Sequence, residues 1–428
     1  MNLRRRLLLA LITLLPLLLF AAAWVVLLFL RQGGMTPFRV PLNQARSVPS
    51  DAALIARGRR LAAIGNCAGC HTAYGGAAYA GGRAFITPYG TVYSSNISAD
   101  PRYGIGAWSA AEFRHAMRHG VSRNGVQSPV FPYANFARID DEGLDALYAF
   151  LATVPAVATA PPADALDFPA NLPGAMTMWR LLYYRPAPAV TATAAATPQQ
   201  RGAILVEGIG HCAACHGTRG TFASLAADAE LGGGRLAGWY APALNAQTLA
   251  HYAPGALADY LRGTAVDGRG AYGKMADVIA QNLQHLSPAD AQDIEAYLRT
   301  LKPQSAARES VTRELPAEQR ALGDHLYRQH CAGCHGEDGS GKAGKYPALT
   351  TSSAITGPDP INAIKLVLFG AAAPATPQNP QPYTMPPFAH TLSPDEVAAL
   401  VSTLRARWGD GGRPVDANDV GAWGGIEP

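Results

Sequence analysis

The chain has 428 residues, and at about 100–200 residues per domain this length predicts about three domains. Charged residues make up only 15% of the sequence and the net charge is +4, which excludes the basic surface of a nucleic-acid-binding protein. Hydrophobic residues reach 48%, enough for a core in each domain. The six cysteines are the most informative residues, because they fall in three pairs.

The N-terminal segment has the pattern of a membrane anchor. Arg4, Arg5 and Arg6 precede an apolar run over residues 7–30. A helix rises about 1.5 Å per residue, so this run is long enough to cross a hydrocarbon core of roughly 30 Å. Basic residues stay on the cytoplasmic side, so residues 1–31 predict an anchor in the cell inner membrane with the remaining chain in the periplasm. A cleaved signal peptide, with residues 21–23 as its small-residue site, is the alternative and also exports the chain.

One five-residue pattern, Cys-x-x-Cys-His, occurs three times and uses every cysteine: Cys67-Ala-Gly-Cys70-His71, Cys212-Ala-Ala-Cys215-His216 and Cys331-Ala-Gly-Cys334-His335. Two thiols one helical turn apart can attach one haem covalently, and the next histidine then supplies the proximal iron ligand. A single match would also fit a redox dithiol or half a zinc site. Zinc, however, normally takes four ligands from paired motifs, and a disulfide scheme does not place a histidine after every second cysteine. The pattern predicts three haems c, bound covalently.

The flanking sequence predicts three copies of one small helical domain. A helix-like stretch that begins at a glycine precedes each motif, at residues 58–64, 202–208 and 323–329. An amphipathic helix closes each copy, with apolar residues at the i, i+3, i+4 and i+7 spacing of one buried face. The glycines would let this closing helix cross closely, at Tyr148 in the first copy and at Tyr297 in the second.

The predicted boundaries follow from these copies and from the Ala/Pro-rich or charged stretches between them. The three domains are assigned to residues 52–157, 198–303 and 317–410, the linkers to 158–197 and 304–316, and a tail to 411–428. The first linker contains an apolar island over residues 176–184, which either packs between the first two domains or contacts lipid or a partner.

The distal iron ligand determines what each haem can do. A methionine opposite the histidine closes the iron and raises its potential, which suits electron transfer. Met275 in the second domain and Met385 in the third stand where such a ligand is needed; a buried thioether that only packs is the alternative for both. Pro242 and Pro347 lie in the loops after the second and third motifs, where a backbone carbonyl is expected to hold the proximal imidazole.

The first domain departs from this pattern. Phe131 aligns with Met385, and phenylalanine cannot bind iron. The distal ligand of the first haem is therefore unknown. Met117 is the preferred candidate, beside His115 and His119 in the same helix-like run, and a five-coordinate iron remains open.

The chain resembles the three-haem cytochrome c subunits of membrane-bound periplasmic dehydrogenases. Members of this family pair with quinoprotein alcohol dehydrogenases, with flavin-dependent gluconate or sorbitol dehydrogenases, or with molybdenum aldehyde or N-heterocycle dehydrogenases. The resemblance rests on the haem motifs and on residues 87–97 (TPYGTVYSSNI), 104–109 (GIGAWS), 201–203 (RGA), 207–212 (EGIGHC), 238–242 (GWYAP), 385–388 (MPPF) and 407–409 (RWG).

The resemblance implies a mainly α fold of three tandem small class I-type cytochrome c domains after one N-terminal transmembrane helix. It also implies an electron-carrying subunit without substrate chemistry of its own, which passes electrons from a catalytic dehydrogenase subunit to ubiquinone, a downstream cytochrome or an oxidase. Many relatives paired with alcohol dehydrogenase have methionine where this chain has Phe131, and the Phe-Pro-Tyr version favours a molybdenum partner. A cytochrome module that feeds a terminal oxidase, and a haem enzyme with an open first haem, are the alternative functions.

Overall fold

The computed structural model describes residues 13–20, 22–27, 51–185, 190, 196–224, 231–264, 269–303, 314–409 and 413–424. The rest of the predicted N-terminal anchor, and parts of both linkers and of the tail, lie outside these residues. The chain divides into two compact units, the first formed by residues 1–59 and 70–191 and the second by residues 60–69 and 192–428. None of the described helices is both long and apolar enough to cross a membrane.

The first unit contains helices joined by short antiparallel strands. The helices are Ala52–Ile64, whose last residues belong to the second unit, and then Ala110–His119, Tyr133–Phe136, Asp141–Leu151 and Ala175–Tyr183. Strand Gly90–Tyr93 pairs with both Ala84–Thr87 and Ala165–Leu166, and Val121–Ser122 pairs with Gly125–Val126.

Local sequence signals set the ends of these helices. Ser109 and Glu112 form a reciprocal capping box at the start of Ala110–His119, and Gly120 ends that helix with a φ of 59°. The Asp140 side chain caps Asp141–Leu151 by accepting a hydrogen bond from Gly143 N. The capped helices bring a continuous apolar face into the core, where Leu144 is completely buried.

The apolar island forms the helix Ala175–Tyr183 and packs on the first domain. Its Arg180 is completely buried and donates a hydrogen bond to the His119 carbonyl oxygen at the C-terminus of Ala110–His119. The Arg180 guanidinium also lies 5.3 Å from the ring centroid of Tyr133 and 4.2 Å from that of Tyr184. A cation beside the negative end of a helix dipole and two aromatic faces explains how an arginine is stable in this interior position.

The second unit contains the second and third predicted domains. Its helical segments are Cys67–Cys70, whose last residue belongs to the first unit, Pro198–Ile204 with the wider turn Leu205–Ile209, Ala213–His216, Thr221–Ala223, Ala246–Leu249, Ala256–Leu261, Gly273–Gln281, Leu283–His285, Pro288–Leu298, Ala317–His330, Ala332–His335, Ser353–Thr356, Ile361–Phe369, Pro394–Trp408 and Ala417–Gly424. Strand Gly234–Leu236 pairs with Trp239–Ala241, and Ala371–Ala372 pairs with Thr384–Met385. The mainly helical prediction is confirmed.

The predicted close crossing of opening and closing helices is present in all three copies. A Cβ atom on the glycine would overlap the closing helix: Gly58 against Ala146 and Phe150, Gly202 against Asp293 and Tyr297, and Gly323 against Ala399 and Thr403. The prediction was correct at Tyr297 and wrong at Tyr148. Residues four apart share a helix face, so Ala146 and Phe150 line the crossing while Tyr148 points elsewhere. Its hydroxyl donates to the Trp108 carbonyl oxygen at 2.5 Å.

Part of the predicted tail joins the third domain. Helix Ala417–Gly424 follows Val415, and both Val415 and Val420 belong to the buried cluster around Pro394–Trp408. The backbone N–H of Val415 donates to the Ser402 hydroxyl at 2.8 Å, which attaches the tail to the closing helix.

Candidate haem sites

Each cysteine pair and its histidine lie on, or directly beside, one short helical turn. The first pair begins and ends the short helix Cys67–Cys70. The second and third motifs form Ala213–His216 and Ala332–His335, each directly after its first cysteine. None of the six cysteines forms a disulfide, so no motif has its two sulfur atoms joined to each other or to another motif.

The thiol environments disfavour a redox dithiol. Burial raises the pKa of Cys212 to about 12 and that of Cys331 to about 11. Redox-active dithiols instead depend on a lowered thiol pKa at an electropositive site. The interpretation of the second and third motifs as redox dithiols is therefore disfavoured.

The proximal imidazoles of the second and third motifs are held by backbone carbonyls, as predicted. His216 Nδ1 lies 2.7 Å from the Pro242 carbonyl oxygen, and His335 Nδ1 lies 2.8 Å from that of Pro347. A carbonyl oxygen only accepts hydrogen bonds, so Nδ1 carries the proton in both rings. The Nε2 lone pair is then free to bind a metal.

The first motif uses the same arrangement with a different acceptor. His71 Nδ1 lies 2.7 Å from the carbonyl oxygen of Ser95. No local pattern predicted this bond, because Ser95 does not belong to a Pro-Ala-Leu sequence like those that begin at Pro242 and Pro347. The family resemblance over residues 87–97 was the signal that covered this position. Burial lowers the pKa of His71, which favours the neutral imidazole that a metal requires.

Met385 lies on a short strand beside the third motif. Its strand Thr384–Met385 pairs with Ala371–Ala372, directly after Gly370. Gly370 has a φ of 72°, and a Cβ atom there would overlap the Met385 carbonyl oxygen, so the glycine permits this close approach. Met385 and Cys331 contact the same buried cluster. The structure therefore brings the third predicted distal ligand and the third cysteine motif to one core.

Met275 lies in the first turn of Gly273–Gln281 in the second domain. Gly273 has a φ of 54°, and a Cβ atom there would lie 2.9 Å from the indole ring of Trp239. Met275 itself is partly buried against Ala271 and Ile279. Trp239 precedes Pro242 by three residues, so this contact joins the segment of the predicted distal ligand to the strand that leads to the proximal carbonyl.

The candidates for the first distal ligand lie on two sides of Ala110–His119. Met117 is 7% exposed and shares the buried face of this helix with Phe113. The rings of His115 and His119 lie 4.7 Å apart on the other side. Burial, and then the neighbouring His119 and Arg180, lower the pKa of His115 to about 4. Phe131, at the position aligned with Met385, packs its ring 5.3 Å from that of Phe136.

The donor set fits a covalently bound haem c. Each of the three motifs presents two thiols and an imidazole on one turn, and a main-chain acceptor fixes that imidazole with Nε2 free. Two thioether bonds and a proximal histidine are what such a haem takes from a protein.

A protein-family model described as cytochrome c matches residues 55–155, 199–302 and 321–408. The chain belongs to the cytochrome c family. It is 35% identical to the gluconate 2-dehydrogenase cytochrome c subunit of Pantoea cypripedii, over 86% of this chain and 89% of that protein. It is 32% identical to the cytochrome c subunit of the quinone alcohol dehydrogenase of Gluconobacter oxydans, over 89% and 84%.

A further relative is longer than this chain. A nicotinate dehydrogenase subunit from Pseudomonas putida is 38% identical over 88% of this cytochrome, which spans only 31% of that protein. The relatives confirm the resemblance to dehydrogenase cytochrome c subunits, and membership of the cytochrome c family implies covalently bound haem c.

Proposed function

We propose that this chain is the electron-transfer subunit of a membrane-associated periplasmic dehydrogenase complex and carries three haems c. Haem supplies one-electron redox chemistry. The protein contributes the two thioether sulfurs and the oriented imidazole of each site. The observation that carries the proposal is the threefold repetition of one donor arrangement, in which His71, His216 and His335 are each fixed by a backbone carbonyl.

We further propose Met275 and Met385 as the distal ligands of the second and third haems, and Met117 as the candidate for the first. A ligand on both sides keeps the coordination unchanged when the oxidation state changes, which suits a carrier rather than a catalyst. Met385 is supported by the core that it shares with Cys331, and Met275 by the Trp239 contact of its helix.

The partners are part of the same proposal. Relatives of this chain are cytochrome subunits of gluconate and alcohol dehydrogenases and a subunit of a nicotinate dehydrogenase, which supports a separate catalytic subunit as the electron donor. The Phe131-Pro132-Tyr133 resemblance favours a molybdenum-type partner over a quinoprotein or flavin type. Ubiquinone or a downstream cytochrome or oxidase would take the electrons, on the periplasmic side of the inner membrane. The apolar run over residues 7–30 supports the anchor.

Haem stoichiometry tests this proposal directly. The full-length protein, denatured in alkaline pyridine, should retain its haem and show three haems per chain, because thioether bonds survive unfolding and the sequence has three motifs. The double substitution Cys212→Ala, Cys215→Ala should lower the number of haems per chain by one. This variant calibrates the absorbance that corresponds to a single haem. A wild-type count of two or fewer contradicts the proposal.

Reduction in the complex tests the direction of electron flow. The tagged chain should copurify with a dehydrogenase, and the substrate of that dehydrogenase should reduce the haem absorption bands. If the purified chain alone oxidised the substrate at the same rate, the role as a carrier subunit would be refuted.

A further inference from the structure

In the second unit, an edge of the second domain is covered by the third. Strand Trp239–Ala241 leads directly into Pro242, whose carbonyl oxygen accepts the hydrogen bond of His216 Nδ1. One edge of this strand pairs with Gly234–Leu236. The main-chain groups of its central residue, Tyr240, point to the other edge, where the third-domain helix Ile361–Phe369 lies.

Asn362 of that helix forms hydrogen bonds with both the N–H and the carbonyl oxygen of Tyr240 in the strand. Its side-chain Nδ2 donates to the Tyr240 carbonyl oxygen at 2.7 Å, and the Tyr240 N–H donates to its Oδ1 at 2.9 Å. Asn362 is 2% exposed, so water does not compete for these bonds. Buried peptide groups require a hydrogen-bond partner. The side-chain amide of Asn362 supplies the partners that a further strand would otherwise supply at this edge.

Lys365 lies one turn further along the same helix and contacts the same strand. Its Nζ is 5.0 Å from the ring centroid of Trp239, and its side chain is completely buried. Within the described part of the chain, this Nζ has no hydrogen-bond partner. Contact between the ammonium group and the indole face is thus a second attachment of the third domain to the proximal strand.

The segment of the predicted distal ligand is attached to the third domain as well. The hydroxyl of Tyr272 is 2.9 Å from the Ser353 hydroxyl. Tyr272 lies three residues before Met275. The third domain therefore contacts the segments on both sides of the second haem site.

We propose that Asn362 is a positioning residue for the second haem: by fixing Tyr240 it holds the Pro242 carbonyl against His216. A well-placed acceptor makes the imidazole a stronger donor to iron, which stabilises the oxidised state and lowers the potential. The third domain then contributes to the potential of its neighbour's haem. The proposal rests on the proposed function only in requiring a haem on Cys212 and Cys215.

Redox titration of full-length variants tests this role. Asn362→Leu has a similar volume and cannot pair with Tyr240, so we expect one of the midpoint potentials to shift upward and the others to stay unchanged. The shifted step should be the one that Met275→Leu also moves. Thr376→Val is the matched control, because it removes the 3.0 Å bond from Thr376 Oγ1 to the Gly263 carbonyl oxygen, between the same two domains. The control should move no step.

Two results would overturn the proposal. One is an Asn362→Leu protein with unchanged potentials, and the other is an equal shift in Thr376→Val. If the leucine variant loses haem, Asn362→Ala, which adds no bulk, carries the same expectation. Failure of the proposed function is distinguishable, since it appears as a low haem count in the wild-type protein before any titration.

Discussion

Met385 and Met117 differ in how their local structure presents the sulfur atom. Met385 ends a short strand and is partly exposed beside the third cysteine motif. Met117 lies within a regular helix and is 7% exposed. A loop or strand residue can approach a metal with little rearrangement, whereas a helical residue is restricted to the direction that its helix face sets. The proposed roles of Met385 and Met117 as distal iron ligands therefore have to be tested one at a time, by the same substitution at each position.

Leucine at either methionine position preserves volume and removes the sulfur, so packing changes little. We expect Met385→Leu to convert the third haem from low spin to high spin and to lower its potential, because the strong distal ligand is lost. Met117→Leu should do the same at the first haem. Electron paramagnetic resonance of the oxidised protein measures the spin state of both variants, and redox titration measures the potentials. An unchanged spin state in either variant refutes that ligand assignment.

Site residues whose partners lie nearby in the chain were predictable from the sequence. Pro242 and Pro347 follow their motifs in a recurring loop pattern, and both accept the predicted bond. Asn362 was not predicted because its partner, Tyr240, is 122 positions away and an asparagine in an apolar helix has no local pattern. Arg180 was missed as a structural residue for the same reason, since its partner His119 is 61 positions away.

At the scale of elements, the helix crossings depend on the absence of a side chain. A Cβ atom on Gly202 would overlap the Asp293 carbonyl oxygen and Tyr297 Cβ of the closing helix Pro288–Leu298. The neighbouring Arg201 is paired with Asp293 through two hydrogen bonds of 2.6 and 2.8 Å. The backbone contact and the ion pair thus set the position of the opening helix on the closing one.

Substitution of this glycine should separate the two helices. We expect Gly202→Ala to lower the free energy of unfolding by about 1–3 kcal/mol, because overpacking against a fixed backbone forces it to shift. Chemical denaturation of the haem-loaded protein measures the effect. Gly421→Ala is the control, since a Cβ atom there meets open space in the tail helix. Equal stability of the two variants would show that the crossing tolerates a methyl group.

Elements with an apolar and a polar face were predicted more readily than uniform or very short ones. Helices Pro288–Leu298 and Pro394–Trp408, two of the predicted closing helices, begin where Ser287 and Ser393 cap them. Helix Ile361–Phe369 was not singled out, because most of its residues are buried and it lacks the alternation of faces. The strands escaped prediction because each has only two to four residues.

At the scale of the whole molecule, the proposed membrane anchor can be tested separately from haem binding. If residues 1–31 are replaced by a cleavable export signal, we expect the protein to be recovered in the soluble periplasmic fraction with its haems intact. The reason is that the cysteine motifs begin at Cys67, well after the apolar run. Fractionation with haem staining measures the outcome. The reference is the unaltered chain, which the proposal places in the membrane fraction.

Persistent membrane association would refute residues 1–31 as the sole attachment. The helix Ala175–Tyr183 would then be the next region to examine, because Met178 and Leu182 are 52% and 49% exposed on its outer side. Double substitution of these two residues by serine would distinguish direct lipid contact from retention through a partner protein.

The hydrogen-bond acceptor at each proposed proximal histidine is a peptide oxygen, supplied by Ser95, Pro242 and Pro347. A point mutation changes side chains and leaves the peptide group in place, so no single substitution deletes this contact outright. A substitution can therefore weaken this hydrogen bond only through the elements that position the carbonyl, such as the strand that Asn362 holds. On the proposed assignment of three haems, the potentials along the chain are then adjusted through the opposite ligand, local hydration and the neighbouring domains that place each acceptor.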